Sequence, residues 1–374
     1  MIDIFSICIF SNFKKLRFFF FIISYILSTS IDLLSAQRMI CLELDTNSCC
    51  TKIKGQPIKF YIEKKIESSE EVSTYLTPLL SDIDNDCVSE IIIPDKLFNG
   101  VLIINSKTGD LISRISTYNM FSYYNCISVA DINLDGIPEI FIIASDLFLN
   151  PSNIQGRLLC YNINGNLIWV SDQRVDFSMK NGATGIFGVP AFADFNQDGI
   201  PELYISNKIF NGLTGIKLAD GEDNGIGAEF RSNFSVAPLS VAANLDENPM
   251  DLELAAGYTI YKVTITNLNG IAGNSMKATN FQIDNSLRDG FTAVADINDD
   301  GILDVVVTSP GISNEAILYS YTYDKGIPKL IAKSYPPTLD LPTIDVPVIG
   351  DISGLGKPSI LFTRPSRILA YSYN

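Results

Sequence analysis

Histidine is absent from the 374 residues of this chain, and tryptophan occurs once. Without histidine the chain cannot assemble a Ser-His-Asp or Cys-His catalytic group, and zinc held by histidine is excluded as well. Glycosidases that use a pair of carboxylates need no histidine, so that class stays open. No pair of acids stands out away from the repeated loops described below, and we therefore favour a function without catalysis.

Basic residues are also scarce. The chain has 27 lysines and arginines against 42 aspartates and glutamates, a formal net charge of −15. Nucleic acids and anionic membrane surfaces both require a basic face on their protein partner. We therefore expect neither of them as a partner.

Long apolar runs are missing too, since the main apolar block, residues 18–27, is about ten residues long and too short to cross a bilayer. Basic residues precede the block and a small-residue stretch follows it: Lys14, Lys15 and Arg17, then Leu34-Ser35-Ala36-Gln37. This order favours an export signal over a membrane anchor. We expect residues 1–37 to be a signal peptide and the mature chain to be secreted or on the cell surface, without membrane insertion.

Cysteine is sparse, with Cys8 in the leader and six others in the first half: Cys41, Cys49, Cys50, Cys87, Cys126 and Cys160. Six cysteines allow fifteen disulfide pairings, and spacing cannot choose among them. Cys41 with Cys49 or Cys50 is the most natural local bridge. Cys126 and Cys160 lie in apolar runs, where buried thiols are equally consistent.

What the chain does contain is an acidic pattern of nine residues that returns six times, at intervals of 49 to 63 residues. We number these loops in chain order: DIDNDCVSE from Asp82 (loop 1), DINLDGIPE from Asp131 (loop 2), DFNQDGIPE from Asp194 (loop 3), NLDENPMDLE from Asn244 (loop 4), DINDDGILD from Asp296 (loop 5) and DISGLGKPS from Asp351 (loop 6). A short apolar run precedes each loop and a β-branched or aromatic run follows most of them, so each loop is predicted to join two strands. A period of this size indicates a propeller or a solenoid.

A third strand and a weaker fourth follow each loop, often around a turn that contains Asn-Gly or Thr-Gly. These pairs supply the positive φ angles that tight turns need. Four antiparallel strands in about fifty residues make one propeller blade. We predict an all-β fold, a β-propeller of four-stranded antiparallel blades, with six blades preferred and seven possible.

The two ends of the chain are expected to close this ring. The last repeat offers only three strands, and residues 38–73 match the repeat poorly but contain an apolar run at 58–62. We expect that run to supply the missing outer strand. If residues 38–73 instead form most of a blade, the count rises to seven. The propeller itself occupies residues 74–374.

The acidic loops contain the candidate metal ligands. In the best copies, positions 1, 3, 5 and 9 have oxygen-bearing side chains and position 6 is Gly136, Gly199 or Gly301. With the position 7 carbonyl, these oxygens make a flexible shell that suits Ca²⁺ better than Mg²⁺ or a transition metal. An EF-hand starts similarly, but its closing Glu is at position 12 and a helix follows. A single copy is also consistent with a solvated turn, and the three near-identical copies favour the metal.

The repeats resemble the FG-GAP/VCBS family, the β-propeller repeats of integrin α subunits and of many bacterial surface and secreted proteins. The resemblance covers residues 75–374 and includes Phe187-Gly188-Val189-Pro190-Ala191, an echo of the family's naming sequence. It implies about three to four Ca²⁺ sites. The ligands it implies are Asp131, Asn133, Asp135, Ile137 (carbonyl) and Glu139; Asp194, Asn196, Asp198, Ile200 (carbonyl) and Glu202; Asp296, Asn298, Asp300, Ile302 (carbonyl) and Asp304; and Asp82, Asp84, Asp86, Val88 and Glu90.

Three loops depart from the pattern. Loop 1 has Cys87 where the turn requires Gly. Loop 4 has Asn248-Pro249 in place of Asp-Gly and places Glu253 one residue late, so we do not count it as a site. Loop 6 lacks acids after Asp351 and is expected to be free of metal.

The resemblance implies a calcium-binding module for adhesion or ligand binding, whose loops stiffen one face while the opposite face contacts an extracellular protein or glycan. The alternative is a hydrolase or lyase acting on polysaccharide, which needs carboxylates and aromatics away from the calcium loops. Tyr123, Tyr124 and Trp169 are candidate contact aromatics, although packing between blades is the favoured role for each.

Overall fold

A computed structural model describes residues 66, 68–73, 77–97, 99–116, 127–145, 156–175, 185–186, 188–222, 228–230, 234–236, 239–246, 248, 250–279, 287–310, 316–335, 346–352, 354, 356–364 and 367–373. These residues belong to the second of two compact units, residues 61–374. Within them the chain forms 26 strands and one 3-10 turn at Asp324–Gly326, so the all-β prediction is confirmed. None of these residues belongs to a helix long and apolar enough to span a membrane.

Six antiparallel sheets, which we call sheets 1 to 6, follow one another along the chain, and in each the strands lie side by side in sequence order. The strands are, in sheet 1, β1 (Leu79–Ser81), β2 (Glu90–Pro94), β3 (Gly100–Ile104) and β4 (Leu111–Ser116); in sheet 2, β5 (Ile127–Ala130), β6 (Glu139–Ser145), β7 (Gly156–Tyr161) and β8 (Leu167–Val170); in sheet 3, β10 (Ala191–Ala193), β11 (Glu202–Ile205), β12 (Lys208–Phe210) and β13 (Lys217–Asp220); in sheet 4, β16 (Val241–Ala243), β17 (Glu253–Ala256), β18 (Thr259–Thr264) and β19 (Ser275–Thr279); in sheet 5, β20 (Phe291–Ala295), β21 (Asp304–Pro310), β22 (Ala316–Thr322) and β23 (Lys329–Ser334); and in sheet 6, β24 (Val348–Gly350), β25 (Ser359–Arg364) and β26 (Arg367–Ser372).

A small mixed sheet was not predicted. It consists of β9 (Gly185–Ile186), β14 (Ala228–Phe230) and β15 (Phe234–Val236), with β15 antiparallel to β14 and parallel to β9. Its strands come from the connections that lead into sheets 3 and 4.

In sheets 1 to 5 the middle strands are the most deeply buried, and the last strands are in general more exposed. Every residue of β3 and of β22 is buried, whereas β4 and β8 are mostly exposed. Continuous apolar runs such as Gly-Val-Leu-Ile-Ile in β3 are typical of strands covered on both faces. Strands β3 and β22 are therefore covered on both faces.

Consecutive sheets pack through hydrophobic clusters. Five of the clusters among the described residues join sheets 1 and 2, 2 and 3, 3 and 4, 4 and 5, and 5 and 6. Between sheets 2 and 3, the Trp169 ring packs near Phe141 and over Gly215, and its Nε1 donates a hydrogen bond of 3.1 Å to the Gly212 carbonyl. Trp169 therefore packs between sheets. Tyr123 and Tyr124 lie outside the described residues.

The predicted turns after the third strands are confirmed. Gly109 and Gly165 have positive φ angles of 85° and 78°. The side-chain oxygens of Asn105 and Asn162 each accept two backbone N–H groups of their turn, at 2.8 to 3.1 Å. The turn residues thus form the hydrogen bonds that fix the register between the third and fourth strands.

Closure of the ring and the number of blades remain predictions. Among the described strands β26 pairs only with β25, so sheet 6 has the three strands expected from the sequence. The run 58–62 that we expect beside it lies outside the described residues, as do the leader and the cysteines Cys41, Cys49, Cys50 and Cys126. Cys160 is a buried thiol in β7, and burial raises its pKa to about 12.

Candidate metal centre

Each acidic loop joins the first and second strands of its sheet, as predicted. In loops 1, 2, 3 and 5 the acid at position 9 is the first residue of the second strand: Glu90 in β2, Glu139 in β6, Glu202 in β11 and Asp304 in β21. The hydrogen bonds of the strand ladder therefore hold the backbone of this acid in place. The four loops occupy equivalent positions in their sheets.

The carboxylate at position 9 closes each loop. One of its oxygens accepts the backbone N–H of position 2, at 3.1 Å from Ile83 to Glu90, 3.1 Å from Ile132 to Glu139, 2.8 Å from Phe195 to Glu202 and 3.1 Å from Ile297 to Asp304. The side chain at position 2 is buried in every case. The loop therefore inserts an apolar residue into the core and draws the carboxylate inward with it.

Burial changes the acidity of these groups. Loss of hydration raises the pKa of Glu202 and of Asp304 to about 7, and it raises the pKa of Glu90 and Glu139 as well. The hydrogen bond from position 2 opposes the shift, and the neighbouring carboxylates, such as Asp198 beside Glu202, add to it. The ionised form of each group thus lacks a compensating positive charge in the loop itself.

Positions 1, 3 and 5 direct their oxygens into the loop. In loop 3, Asp194 Oδ1 accepts the N–H of Asp198 at 3.1 Å and its Oδ2 accepts that of Gly199 at 2.8 Å. Asn196 Oδ1 also accepts the N–H of Asp198, at 2.9 Å, and Asp198 Oδ1 accepts that of Ile200, at 2.8 Å. The same four contacts recur at 2.7 to 3.3 Å in loop 1 (Asp82, Asp84, Asp86), loop 2 (Asp131, Asn133, Asp135) and loop 5 (Asp296, Asn298, Asp300).

Two residues in each of loops 1, 2, 3 and 5 have left-handed backbone. Position 6 is the expected one, with φ of 87° to 89° at the three glycines and 66° at Cys87. Position 4 has φ of 60° to 63° and was not predicted. Its occupants are Asn85, Leu134, Gln197 and Asp299. Asn and Asp enter this conformation more readily than other non-glycine residues, but Leu134 and Gln197 do not, so the residue type does not signal it in all four loops.

The oxygens retain capacity for a cation. A carboxylate oxygen has two lone pairs, so accepting one N–H leaves it able to bind an ion. In loop 1, ligand atoms of Asp82, Asp84 and Asp86 all lie within 4.8 Å of one another. Asp304 Oδ1 in loop 5 is buried and has no hydrogen-bond partner among the described residues. A hard, oxygen-seeking divalent cation fits this donor set.

The amides at position 3 interact with neighbouring acids in loops 2 and 3. Asn133 Nδ2 donates to Glu139 Oε1 at 2.9 Å, and Asn196 Nδ2 donates to Asp198 Oδ2 at 3.0 Å. Each contact places a neutral N–H donor against one carboxylate oxygen. These contacts offset only part of the negative charge.

Loop 4 gathers acids that the spacing alone did not reveal. Ligand atoms of Asp246, Asp251 and Glu253 lie within 4.8 Å of one another, and Glu253 accepts the N–H of Leu245 at 2.9 Å. The extra residue is absorbed within the loop, because Glu253 still begins β17. Lys262 of β18 reaches Asp251 at 2.8 Å, and this hydrogen bond raises its pKa. The signal in the sequence was Asp251 at position 8, outside the pattern.

Loop 6 uses its one acid differently. The two Asp351 oxygens accept the N–H groups of Gly354 and Gly356 at 2.8 and 2.7 Å. Ser359 begins β25 in place of an acid, and its hydroxyl lies 3.0 Å from that of Ser372. Hydroxyls here replace the closing carboxylate.

No protein-family model matches the sequence, and no curated protein matches it. Solved structures with similarity include the V. cholerae biofilm matrix protein Bap1, with a TM-score of 0.41 and 18% identity over 72% of this chain and 42% of that one. Two rhamnogalacturonan lyases are more distant: PL11 of Bacillus licheniformis (TM-score 0.30, 14% identity, 70% of this chain and 47% of that one) and YesW (0.29, 13%, 73% and 48%). The chain spans less than half the length of each. At these scores the similarity assigns neither a family nor a function.

Proposed function

We propose that this chain is a secreted or cell-surface calcium-binding β-propeller that acts in adhesion, as a binding module for an extracellular protein or glycan. The observation that carries the calcium part is the buried carboxylate at position 9 of loops 1, 2, 3 and 5, next to further carboxylates held by one hydrogen-bond network. The ligands are those of these four loops, about three to four Ca²⁺ in all.

The electrostatics of loop 3 support this proposal. Asp194, Asp198 and Glu202 bring three carboxylates into one short loop, and each pair of like charges repels by about 1 kcal/mol or more near a surface. Divalent calcium removes this repulsion and supplies the positive charge that Glu202 lacks. Its role is then structural, because it ties the first strand of each sheet to the second.

The end of the sheets away from the acidic loops is the expected place for contacts with a partner. The acidic loops lie where first strands end and second strands begin, so the connections that lead into the first strands lie at the other end. Residues 171–190 and 221–240 are the long connections into sheets 3 and 4, and they include the small mixed sheet. We propose that contacts with the protein or glycan are made at this end.

No observation on the described residues favours the hydrolase or lyase alternative. Outside the six loops, the acid with a raised pKa among them is Asp289, at about 7 because of burial. Its Oδ1 accepts hydrogen bonds from the Thr259 N–H and hydroxyl, at 3.1 and 2.9 Å. Asp289 is buried, so it is not placed to reach a polysaccharide.

Thermal unfolding of the purified chain with Ca²⁺, with Mg²⁺ and with a chelator tests the calcium part. A site filled at a hundred times its Kd adds about 2.7 kcal/mol, so we expect a clear rise in Tm with Ca²⁺ and a smaller one with Mg²⁺. An unchanged Tm contradicts the proposal. Glycan and protein binding screens with and without Ca²⁺ then test the module, and release of product from a polysaccharide during the screen indicates the enzyme instead.

A further inference from the structure

Loop 4 departs from the repeated pattern, and yet it brings three buried or half-buried acids together. Asp246 and Asp251 are half-buried, Glu253 is fully buried, and their ligand atoms lie within 4.8 Å of one another. Asp251 stands at position 8, so it brings a carboxylate that the other loops do not have there. It takes the place of the missing acid at position 5, where loop 4 has Asn248.

Three oxygens of this loop lack partners. Asn244 Oδ1, Asp251 Oδ1 and Glu253 Oε1 are buried, and none has a hydrogen-bond partner among the described residues. A buried oxygen in this state has given up its hydration and gained no interaction in return. A cation bound in the loop would supply that interaction to the oxygens that it contacts. These oxygens therefore point to a cation in the loop.

Lys262 adds a feature of its own. Its Nζ lies 2.8 Å from Asp251 Oδ2 and 3.7 Å from Asp246 Oδ2. In the β17–β18 ladder Lys262 pairs with Glu253, whereas the corresponding partner of Asp304 in sheet 5 is the uncharged Thr322. Three carboxylates and one ammonium leave a charge of about −2, which matches a divalent cation.

We propose that loop 4 is a lysine-gated site for a divalent, oxygen-seeking cation such as Ca²⁺. Asn244, Asp246, Asp251 and Glu253 hold the cation, and the Lys262 ammonium competes with it for the two aspartates. The Lys262 side chain is 48% exposed, so its ammonium can withdraw into water when the cation enters. Because the cation must displace or tolerate a positive charge, loop 4 fills at a higher free Ca²⁺ concentration than loops 1, 2, 3 and 5.

The test counts Ca²⁺ ions per chain by native mass spectrometry across a titration of free Ca²⁺. In the wild type we expect a last ion to bind at the highest concentration, and Glu253→Gln to remove it. Lys262→Met keeps the aliphatic stem and removes the charge, so it shifts that last step to a free Ca²⁺ concentration about tenfold lower. Structural damage does not tighten Ca²⁺ binding. Tighter binding in Lys262→Met therefore shows that the Lys262 ammonium competes with the cation and does not help to hold it.

Lys277→Met is the matched control. Lys277 pairs with Lys262 across β18 and β19, is exposed, and carries the same charge. We expect it to move the last step by less than about twofold, since its exposed charge lies one strand farther from the acids of loop 4 and is screened by solvent. The proposal is contradicted if both lysine variants shift the last binding step to the same free Ca²⁺ concentration. It is also contradicted if the last ion binds to Lys262→Met no more tightly than to the wild type.

The outcome is independent of the four proposed calcium loops. If Ca²⁺ binding to loops 1, 2, 3 and 5 fails, Lys262→Met still gains an ion that Glu253→Gln in the same background removes. If loops 1, 2, 3 and 5 bind Ca²⁺ and Lys262→Met changes neither the number of ions nor their affinities, only the proposed competition by Lys262 is wrong. Circular dichroism of each variant confirms that it is folded before ions are counted.

Discussion

The backbone N–H of Phe195 donates a hydrogen bond of 2.8 Å to Oε2 of Glu202, and this contact ties loop 3 to the first residue of β11. The Phe195 ring also packs edge-on against Tyr204, with 5.8 Å between ring centroids. The Glu202 carboxylate therefore closes the loop and lies at the start of a core strand. Because it is buried, its negative charge is stabilised less by water than that of the more exposed acids of the loop. We therefore expect cation binding and formation of the first hairpin of the sheet to be coupled through Glu202.

Glu202→Gln tests this coupling. Glutamine keeps an oxygen to accept the Phe195 N–H and removes the charge. With a chelator at pH 8 the wild-type carboxylate, whose pKa is raised to about 7, is ionised and uncompensated, so we expect the variant to be at least as stable as the wild type. With excess Ca²⁺ we expect the wild type to be more stable, because the variant binds one ion at least about tenfold more weakly.

Thermal unfolding in the two buffers measures this reversal. Glu222→Gln is the control, since Glu222 is an exposed acid outside the acidic loops of the same sheet region. The difference in Tm between Glu222→Gln and the wild type should be the same in both buffers. If Glu202→Gln is less stable than the wild type in both, the carboxylate has only a structural role.

Gly199→Ala isolates the backbone requirement at position 6. Gly199 has φ of 89°, and an added Cβ meets no atom within 4 Å, so any loss arises from the left-handed conformation alone. We expect a cost of about 1–2 kcal/mol in the free energy of unfolding. Gly350→Ala is the control: its Cβ also meets no atom within 4 Å, and its backbone is not left-handed. Equal costs in urea unfolding contradict the argument.

Cys87→Gly is the converse change. Cys87 adopts φ of 66° at the position where loops 2, 3 and 5 have glycine. Glycine removes the steric cost of this conformation, so we expect a gain of roughly 1 kcal/mol in stability. Urea unfolding in Ca²⁺ checks the sign, and a loss of stability shows that the thiol makes a contact worth more than the strain.

Asp289→Asn addresses the dependence of stability on pH. Burial raises the pKa of Asp289 from 3.8 to about 7, so the folded chain binds this proton more tightly than the unfolded chain. Its contribution is complete below about pH 4 and is lost as the pH rises to about 7. At about 1.4 kcal/mol per pKa unit, the loss is on the order of 4 kcal/mol. Asparagine keeps an oxygen for Thr259 and should abolish this slope.

We therefore expect Asp289→Asn to be more stable than the wild type at pH 8 and to lose this advantage at pH 4. Urea unfolding in a chelator at several pH values measures the difference, and the acids of the loops cancel because both proteins contain them. Asp110→Asn, at an exposed turn, is the control. A constant difference between variant and wild type at all pH values contradicts the assigned pKa.

Trp169 variants separate packing from ligand contact. The buried ring lies between sheets 2 and 3, so Trp169→Ala should cost about 3–5 kcal/mol. Trp169→Phe loses the hydrogen bond to Gly212 and should cost about 1 kcal/mol. Ile168→Ala, at a half-exposed neighbour on β8, should cost less than about 1 kcal/mol. Unfolding followed by circular dichroism gives the values. A Trp169→Ala variant of normal stability contradicts the packing role.

Much of the fold and of four loops could be predicted from the sequence because the relevant interactions are local. Strand positions follow from short apolar runs, and the turns follow from Asn-Gly and Thr-Gly pairs whose glycines take positive φ. The closing acids Glu90, Glu139, Glu202 and Asp304 come within eight residues of the start of their loops. The left-handed residue at position 4 escaped prediction, because Leu134 and Gln197 reveal it only through the loop geometry.

The sequence by itself therefore determined the repeated unit, its strands and the oxygens that each loop can offer. Only the tertiary structure decided that loop 4 collects Asp246, Asp251 and Glu253 beneath Lys262, that Asp289 is buried against Thr259, and that β9 pairs with β15. The reason is physical: these contacts depend on strand register and on the stacking of successive sheets, which join residues from separate strands and connections. Burial then sets the charge and pKa of the groups involved.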